Sequence, residues 1–160
     1  MEGRQNIVLA LERILCPRIG RPVLPEAEAA EPGLNISVIF TSVESTLSAL
    51  RKASALAASL GARITLLVPQ VVPYPAPLGS PPVLLDWNEG RFHAIASQCP
   101  VETTVRIYLC RDSVETLVWV LRTRSIVVVG SRKKWWPTWE DRLARRLRKE
   151  GHEVIVAAME

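Results

Sequence analysis

The chain has 160 residues, 48% hydrophobic and 22% charged, with a formal net charge of +4. These totals describe a soluble globular chain with the core of one domain and a tail besides, mildly basic without demanding an anionic partner. They exclude a spanning helix, which needs about 20 uninterrupted apolar residues, because the most apolar stretch, Ile64 to Leu85, is broken by Pro69, Pro73, Pro75, Pro77, Pro81 and Pro82.

Met1 to Leu15 reads as a short amphipathic helix, with Ile7, Leu11, Ile14 and Leu15 on one face. Its apolar run, Ile7 to Leu11, meets Glu12 and Arg13 too soon for a signal peptide. Pro17 ends the helix, and the Pro, Ala and Glu composition up to Pro32 reads as a linker. Residues 1–33 are therefore expected to be an N-terminal arm and 34–160 the folded domain.

Asn35 to Thr41 is the first core strand. A helix from about Ser45 to Leu60 follows, with Leu47, Leu50, Ala53, Ala57 and Leu60 as its stripe and Gly61 as its cap. Arg63 to Val68 is the second strand. Gln70 to Pro82 is a Pro-rich loop, long enough to be functional or mobile. Val83 to Gln98 forms a weaker helix interrupted by Gly90, and Val101 to Leu109 alternates as a third strand. Asp112-x-x-Glu115 starts a helix to about Arg122, buried through Val114, Leu117, Val118 and Leu121.

Ser125-Ile126-Val127-Val128-Val129-Gly130 is the organising stretch, a β-branched run that stops at a glycine, as a strand buried on both faces does. Thr138 to about Gly151 is the last helix. Glu140 and Asp141 lie in its first turn and Arg146, Arg148 and Lys149 near its last, complementing the macrodipole. Trp139, Leu143 and Leu147 line up for packing. Val154 to Ala157 closes the chain. The alternation predicts an α/β fold: one open, parallel sheet of five strands with helices on both faces.

In three places the sequence resembles the universal stress protein family. These are Ile36 to Thr41 with its Ala-rich helix and Leu60 to Leu67; Asp112 to Glu115; and Ile126-Val-Val-Val-Gly130-Ser131-Arg132. The resemblance covers about Asn35 to Ala157. It implies strand order 3-2-1-4-5, with any nucleotide site between the first and fourth strands. It also marks departures. Nucleotide-binding members carry an Asp where this chain has Thr41, and often Gly-Ser at Ser42 and Val43. After Gly130, the next glycine position holds Lys133, and no glycine follows before Gly151. A phosphate cradle depends on such glycines.

The candidate nucleotide or anion site is thus Thr41, Ser42, Val43, Gly130, Ser131, Arg132 and Lys133. Side chains of Ser131 to Lys134 can hold a phosphate, or the loop is simply a solvated basic run. Trp135, Trp136 and Trp139 can stack a base, form an apolar lid over the domain, or meet a protein partner. Arg142, Arg145, Arg146, Arg148 and Lys149 can contact nucleic acid phosphates, or form the wet face of the last helix. Balancing Glu140, Asp141 and Glu150 argue against nucleic acid.

No nucleophile elbow, P-loop, metal pair or carboxylate constellation is visible, so neither catalysis nor a resident metal is expected. His93 and His152 lack catalytic partners. Cys16, Cys99 and Cys110 have no metal spacing and no C-x-x-C pair, which suits reduced thiols in a cytoplasmic protein.

The functional expectation is a stress-protein-like domain in a stress response. It acts by dimerisation and protein interaction and binds ATP or AMP weakly or not at all. One alternative is an adenine-nucleotide sensor using the basic loop Ser131–Lys134 in place of glycines. A second is a nucleic-acid-associated protein using the last helix. The homodimer is expected through the C-terminal strand near Val156, with Ile155 on the opposite side of the sheet. No membrane partner is expected.

Overall fold

The computed structural model describes residues 8–16, 34–78, 85–121, 125–132 and 134–158. Its strands are β1 (Val8–Cys16), β2 (Asn35–Ile39), β3 (Arg63–Val71), β4 (Thr103–Cys110), β5 (Ile126–Ser131) and β6 (Glu153–Ala158). Its helices are α1 (Val43–Leu60), α2 (Leu85–Ser97), α3 (Ser113–Val120) and α4 (Trp139–Lys149). All strands are parallel, in one sheet of order β1-β4-β3-β2-β5-β6.

The five strands expected from the sequence are β2 to β6, and their observed order is the expected 3-2-1-4-5. The N-terminal expectation needs correction. Val8–Cys16 is a strand, not a helix, and pairs with β4 from Val8 opposite Thr103 to Cys16 opposite Cys110. The helical spacing of Ile7, Leu11, Ile14 and Leu15 loses to the edge of β4, which offers backbone amides and carbonyls to a nine-residue partner far away in sequence. The rest of the expected arm, residues 1–7 and 17–33, lies outside the described residues.

Helices α1 and α2 cover one face of the sheet, and α3 and α4 the other. The first core holds Ile36, Val38, Leu50, Ile64, Leu66, Phe92, Ile107 and Val128. The second holds Ile39, Leu67, Tyr108, Leu117, Val127, Val129, Leu143 and Leu147. Alternation along each strand divides its side chains between the two. Ile155 packs with the first core and Val156 with the second, so these two do face opposite sides.

Local signals close the helices as the sequence suggests. Gly61 caps α1 in the left-handed region at φ 63°, with its amide on the Ala57 carbonyl. Asp112 accepts from the Glu115 amide at 3.0 Å. Thr138 and Asp141 form a reciprocal capping box on α4. Helix α2 runs through Gly90. The described part of the Pro-rich loop is tied down by Arg111, which donates to the carbonyls of Val72 at 2.7 Å and Ala76 at 2.9 Å and lies over the Tyr74 ring.

Candidate functional site

Strands β2 and β5 are neighbours, with Ile39 opposite Val129. Their carboxyl ends bring together Thr41, Ser42, Val43, Gly130, Ser131 and Arg132, as the sequence suggests. Lys133 lies outside the described residues.

Most of these groups are engaged by the fold itself. The Thr41 amide donates to Thr46 Oγ1 at 3.2 Å, and Thr41 Oγ1 donates to the Gly130 carbonyl at 3.5 Å. Ser42 is the N-cap of α1, its Oγ accepting from the Ser45 amide at 3.3 Å. Val43 packs against the first core. Gly130 is buried against the first turn of α1: a Cβ there would lie 1.9 Å from the Ser45 carbonyl oxygen. Ser131 is buried, and its Oγ donates to the Arg132 carbonyl at 3.3 Å.

Arg132 reaches across the crevice and pairs with Glu44 in the first turn of α1 at 2.5 Å. Both side chains are half exposed or more, so the pair contributes at most about 1 kcal/mol. Its importance is electrostatic. It places a carboxylate where α1's N-terminal dipole would favour an anion, and it matches the nearest cation.

Beside this pair opens a cavity of about 520 Å³, lined by Ser42, Ser45, Arg132, Lys134, Trp136, Pro137, Thr138, Trp139 and Glu140. The amino ends of α1 and α4 both border it. The α4 end carries its own anion: the Asp141 carboxyl accepts from the Thr138 amide and hydroxyl, both at 2.9 Å. The backbone hydrogen bond from Thr138 first, then its hydroxyl, hold that carboxyl below the usual range. Sequence reasoning missed Glu44, Ser45 and Glu140 as parts of this mouth. Glu140 was visible only as a first-turn acid of α4, and the Glu44–Arg132 pair joins residues 88 apart.

The three tryptophans are placed differently. Trp135 is 99% exposed and Trp136 76%, so of the alternatives the sequence leaves open, an apolar lid packed onto the described part of the domain does not fit these two rings. Trp139 lines the cavity and is 39% exposed. On α4, Arg146 pairs with Glu115 and Glu150, and Arg148 donates to the Val154 carbonyl at 3.0 Å.

The histidines stand apart from the crevice. The exposed His93 carbonyl accepts from Ser97 Oγ at 2.7 Å. His152 is buried, and its Nδ1 accepts from the Ser125 amide at 3.2 Å; burial lowers its pKa while Glu150 opposes the shift. Cys99 lies 2.8 Å from Ser54 Oγ, and burial pushes the Cys110 thiol up. Among the described residues, no group of three or more His, Cys, Asp or Glu side chains is placed to hold a metal. None of the described helices is long and apolar enough to cross a membrane.

This architecture, with its crevice between β2 and β5, is the universal stress protein fold. A universal stress protein family member from Burkholderia pseudomallei matches it with a TM-score of 0.52 and 23% identity, over 76% of this chain and 93% of its own. A universal stress protein solved in complex with cAMP matches with a TM-score of 0.51 and 16% identity, over 80% of this chain and 98% of its own. No protein-family profile and no curated protein matches the chain by sequence.

Proposed function

We propose that the chain is a cytoplasmic, non-enzymatic interaction domain of stress-response type. It pairs with a second copy through β6, offers the β5–α4 loop as its other contact surface, and binds ATP or AMP weakly or not at all. The observation that supports this reading is the Arg132–Glu44 pair. Where a phosphate cradle needs uncompensated positive charge, this crevice has Arg132 already matched by a carboxylate, with Lys134 the other cation on its wall.

The dimer half of the reading is supported by the place of β6 at the end of the sheet, with no strand beyond it among the described residues. The Glu153 amide donates to the Ser125 carbonyl, towards β5. By alternation, Val154, Val156 and Ala158 direct their backbone groups outward. Arg148 occupies the Val154 carbonyl, which leaves Val156 as the first residue whose amide and carbonyl suit a second chain.

One observation favours a nucleotide-sensing reading instead. The cavity of about 520 Å³ has Arg132, Lys134, Trp136 and Trp139 on its wall, a cation and aromatic set that suits a nucleotide. The cAMP complex of a protein with this fold lends it weight. Calorimetry with Mg-ATP, AMP and cAMP separates the two. Heats indistinguishable from dilution support the interaction domain. A micromolar dissociation constant, about −8 kcal/mol, that Arg132→Ala weakens establishes the sensor.

A further inference from the structure

We propose that the β5–α4 loop docks on an anionic lipid surface, with Trp135 and Trp136 entering the headgroup layer and the outer stripe of α4 facing the phosphates. This rests on the reading above only in treating the loop as a contact surface. It needs neither the dimer nor a nucleotide.

The first observation is exposure. Trp135 is 99% and Trp136 76% exposed, side by side on the loop that leaves the carboxyl end of β5. Each indole offers about 150–250 Å² to bury. A base or a peptide side chain needs a wall opposite the ring, and a residue as exposed as Trp135 has almost no protein around it to build one. A bilayer needs no preformed wall, because lipids conform to the ring. The headgroup layer is also where an indole satisfies both its apolar body and its N–H.

The second observation is charge. Lys134 is exposed directly before the two rings. The loop runs into α4, where Arg142, Arg145 and Lys149 are exposed at i, i+3 and i+7. That spacing puts them on one stripe, away from the buried Leu143, Ala144 and Leu147. The other charges near the stripe are accounted for. Asp141 is held in the capping box with Arg145 acting on its charge, Glu140 lines the cavity, Arg132 pairs with Glu44, and Arg146 pairs with Glu115 and Glu150. Such a stripe is drawn to anionic headgroups within a Debye length, about 8 Å at physiological salt. A surface contact of this kind requires no spanning helix.

The test is co-sedimentation of the full chain with vesicles of phosphatidylcholine, alone and mixed with phosphatidylglycerol. The expected result is binding to the mixed vesicles, weakened by salt, and none to the neutral ones. The double variant Trp135→Ser/Trp136→Ser, which removes no core residue, loses roughly tenfold or more in affinity. Arg145→Glu loses roughly tenfold. Brominated lipid quenches the wild-type fluorescence and spares the double variant. Absence of binding to the mixed vesicles, equal binding to neutral vesicles, or unchanged binding by the double variant overturns the proposal. Tryptophan-dependent binding of a single-stranded oligonucleotide or an acidic peptide, with no vesicle binding, also overturns it and reassigns the surface.

Discussion

Gly130→Ala tests whether the glycine at the crevice is demanded by packing. The backbone at Gly130 is not in the left-handed region, so the glycine is required for space alone. A Cβ would stand 1.9 Å from the Ser45 carbonyl oxygen, 2.5 Å from its carbonyl carbon and 2.9 Å from its Cβ. The first of these is about 1 Å inside the closest approach that Cβ atoms tolerate, and the two nearest atoms are backbone. No rotamer change relieves the clash. Either the first turn of α1 or the end of β5 must move, and both are locked: α1 by its Ser42 cap and buried Ser45, Thr46 and Ala49, and β5 by ladders to β2 and β6. Overpacking costs about 1–3 kcal/mol, and a backbone obstacle places this case near about 3 kcal/mol. That is a large part of a typical domain stability of about 5–15 kcal/mol. At about 2–4 °C per kcal/mol for a chain of this size, the melting midpoint falls by roughly 6–12 °C. Urea and thermal unfolding followed by circular dichroism measure it. Two controls have other signs or sizes. Gly90→Ala meets nothing within 4 Å inside α2 and gains about 0.5–1 kcal/mol. Gly61→Ala, also in open space but at φ 63°, loses about 1–2 kcal/mol. A Gly130→Ala protein within about 0.5 kcal/mol of wild type refutes the packing argument.

Three further outcomes follow from named contacts. Burial lowers the pKa of His152 in the folded chain, so its contribution to stability is complete above the unfolded value of about 6.5 and is lost as pH falls through the lower folded value. Protonation of Nδ1 also removes the acceptor of the Ser125 amide, so the melting midpoint drops with acid and His152→Gln flattens that pH dependence. Val156→Pro removes an outward amide and shifts the protein towards monomer in sedimentation at several concentrations; a wild type that is monomeric at high micromolar concentration rules out the dimer. Arg132→Ala frees Glu44 at the head of α1 and changes stability by no more than about 1 kcal/mol in urea unfolding; a larger loss means the pair holds the crevice together.

Much of the fold could be read from the chain because its strands are apolar on both faces and its helices carry ordinary caps. Ile126 to Gly130, Gly61 and the Thr138 cap each determine local structure through nearby residues. What could not be read depends on distant partners. Val8–Cys16 has helical spacing and becomes a strand only because β4 offers an edge. Thr41, Ser42 and Gly130 were legible as the crevice, but their engagement by Thr46, Ser45 and each other was not. The exposure of Trp135 and Trp136 was equally hidden. An apolar pair beside lysines reads the same whether it covers a core or projects from one.

Gly130 also bears on how much a motif says about a ligand. In the family that the sequence resembles, glycines after the fourth strand are associated with nucleotide binding. The geometry here separates that pattern into two requirements. The first glycine is demanded by the approach of β5 to Ser45, a contact between two elements of the fold that exists with or without a ligand. The later glycines would serve amides that approach phosphates. This chain keeps the first and has Lys133 at the second, with no other glycine before Gly151. A sequence constrained by packing alone would show the same pattern. The surviving glycine therefore supports the fold and is neutral about the nucleotide. The loop that lacks those later glycines is the one that carries Trp135 and Trp136 into solvent.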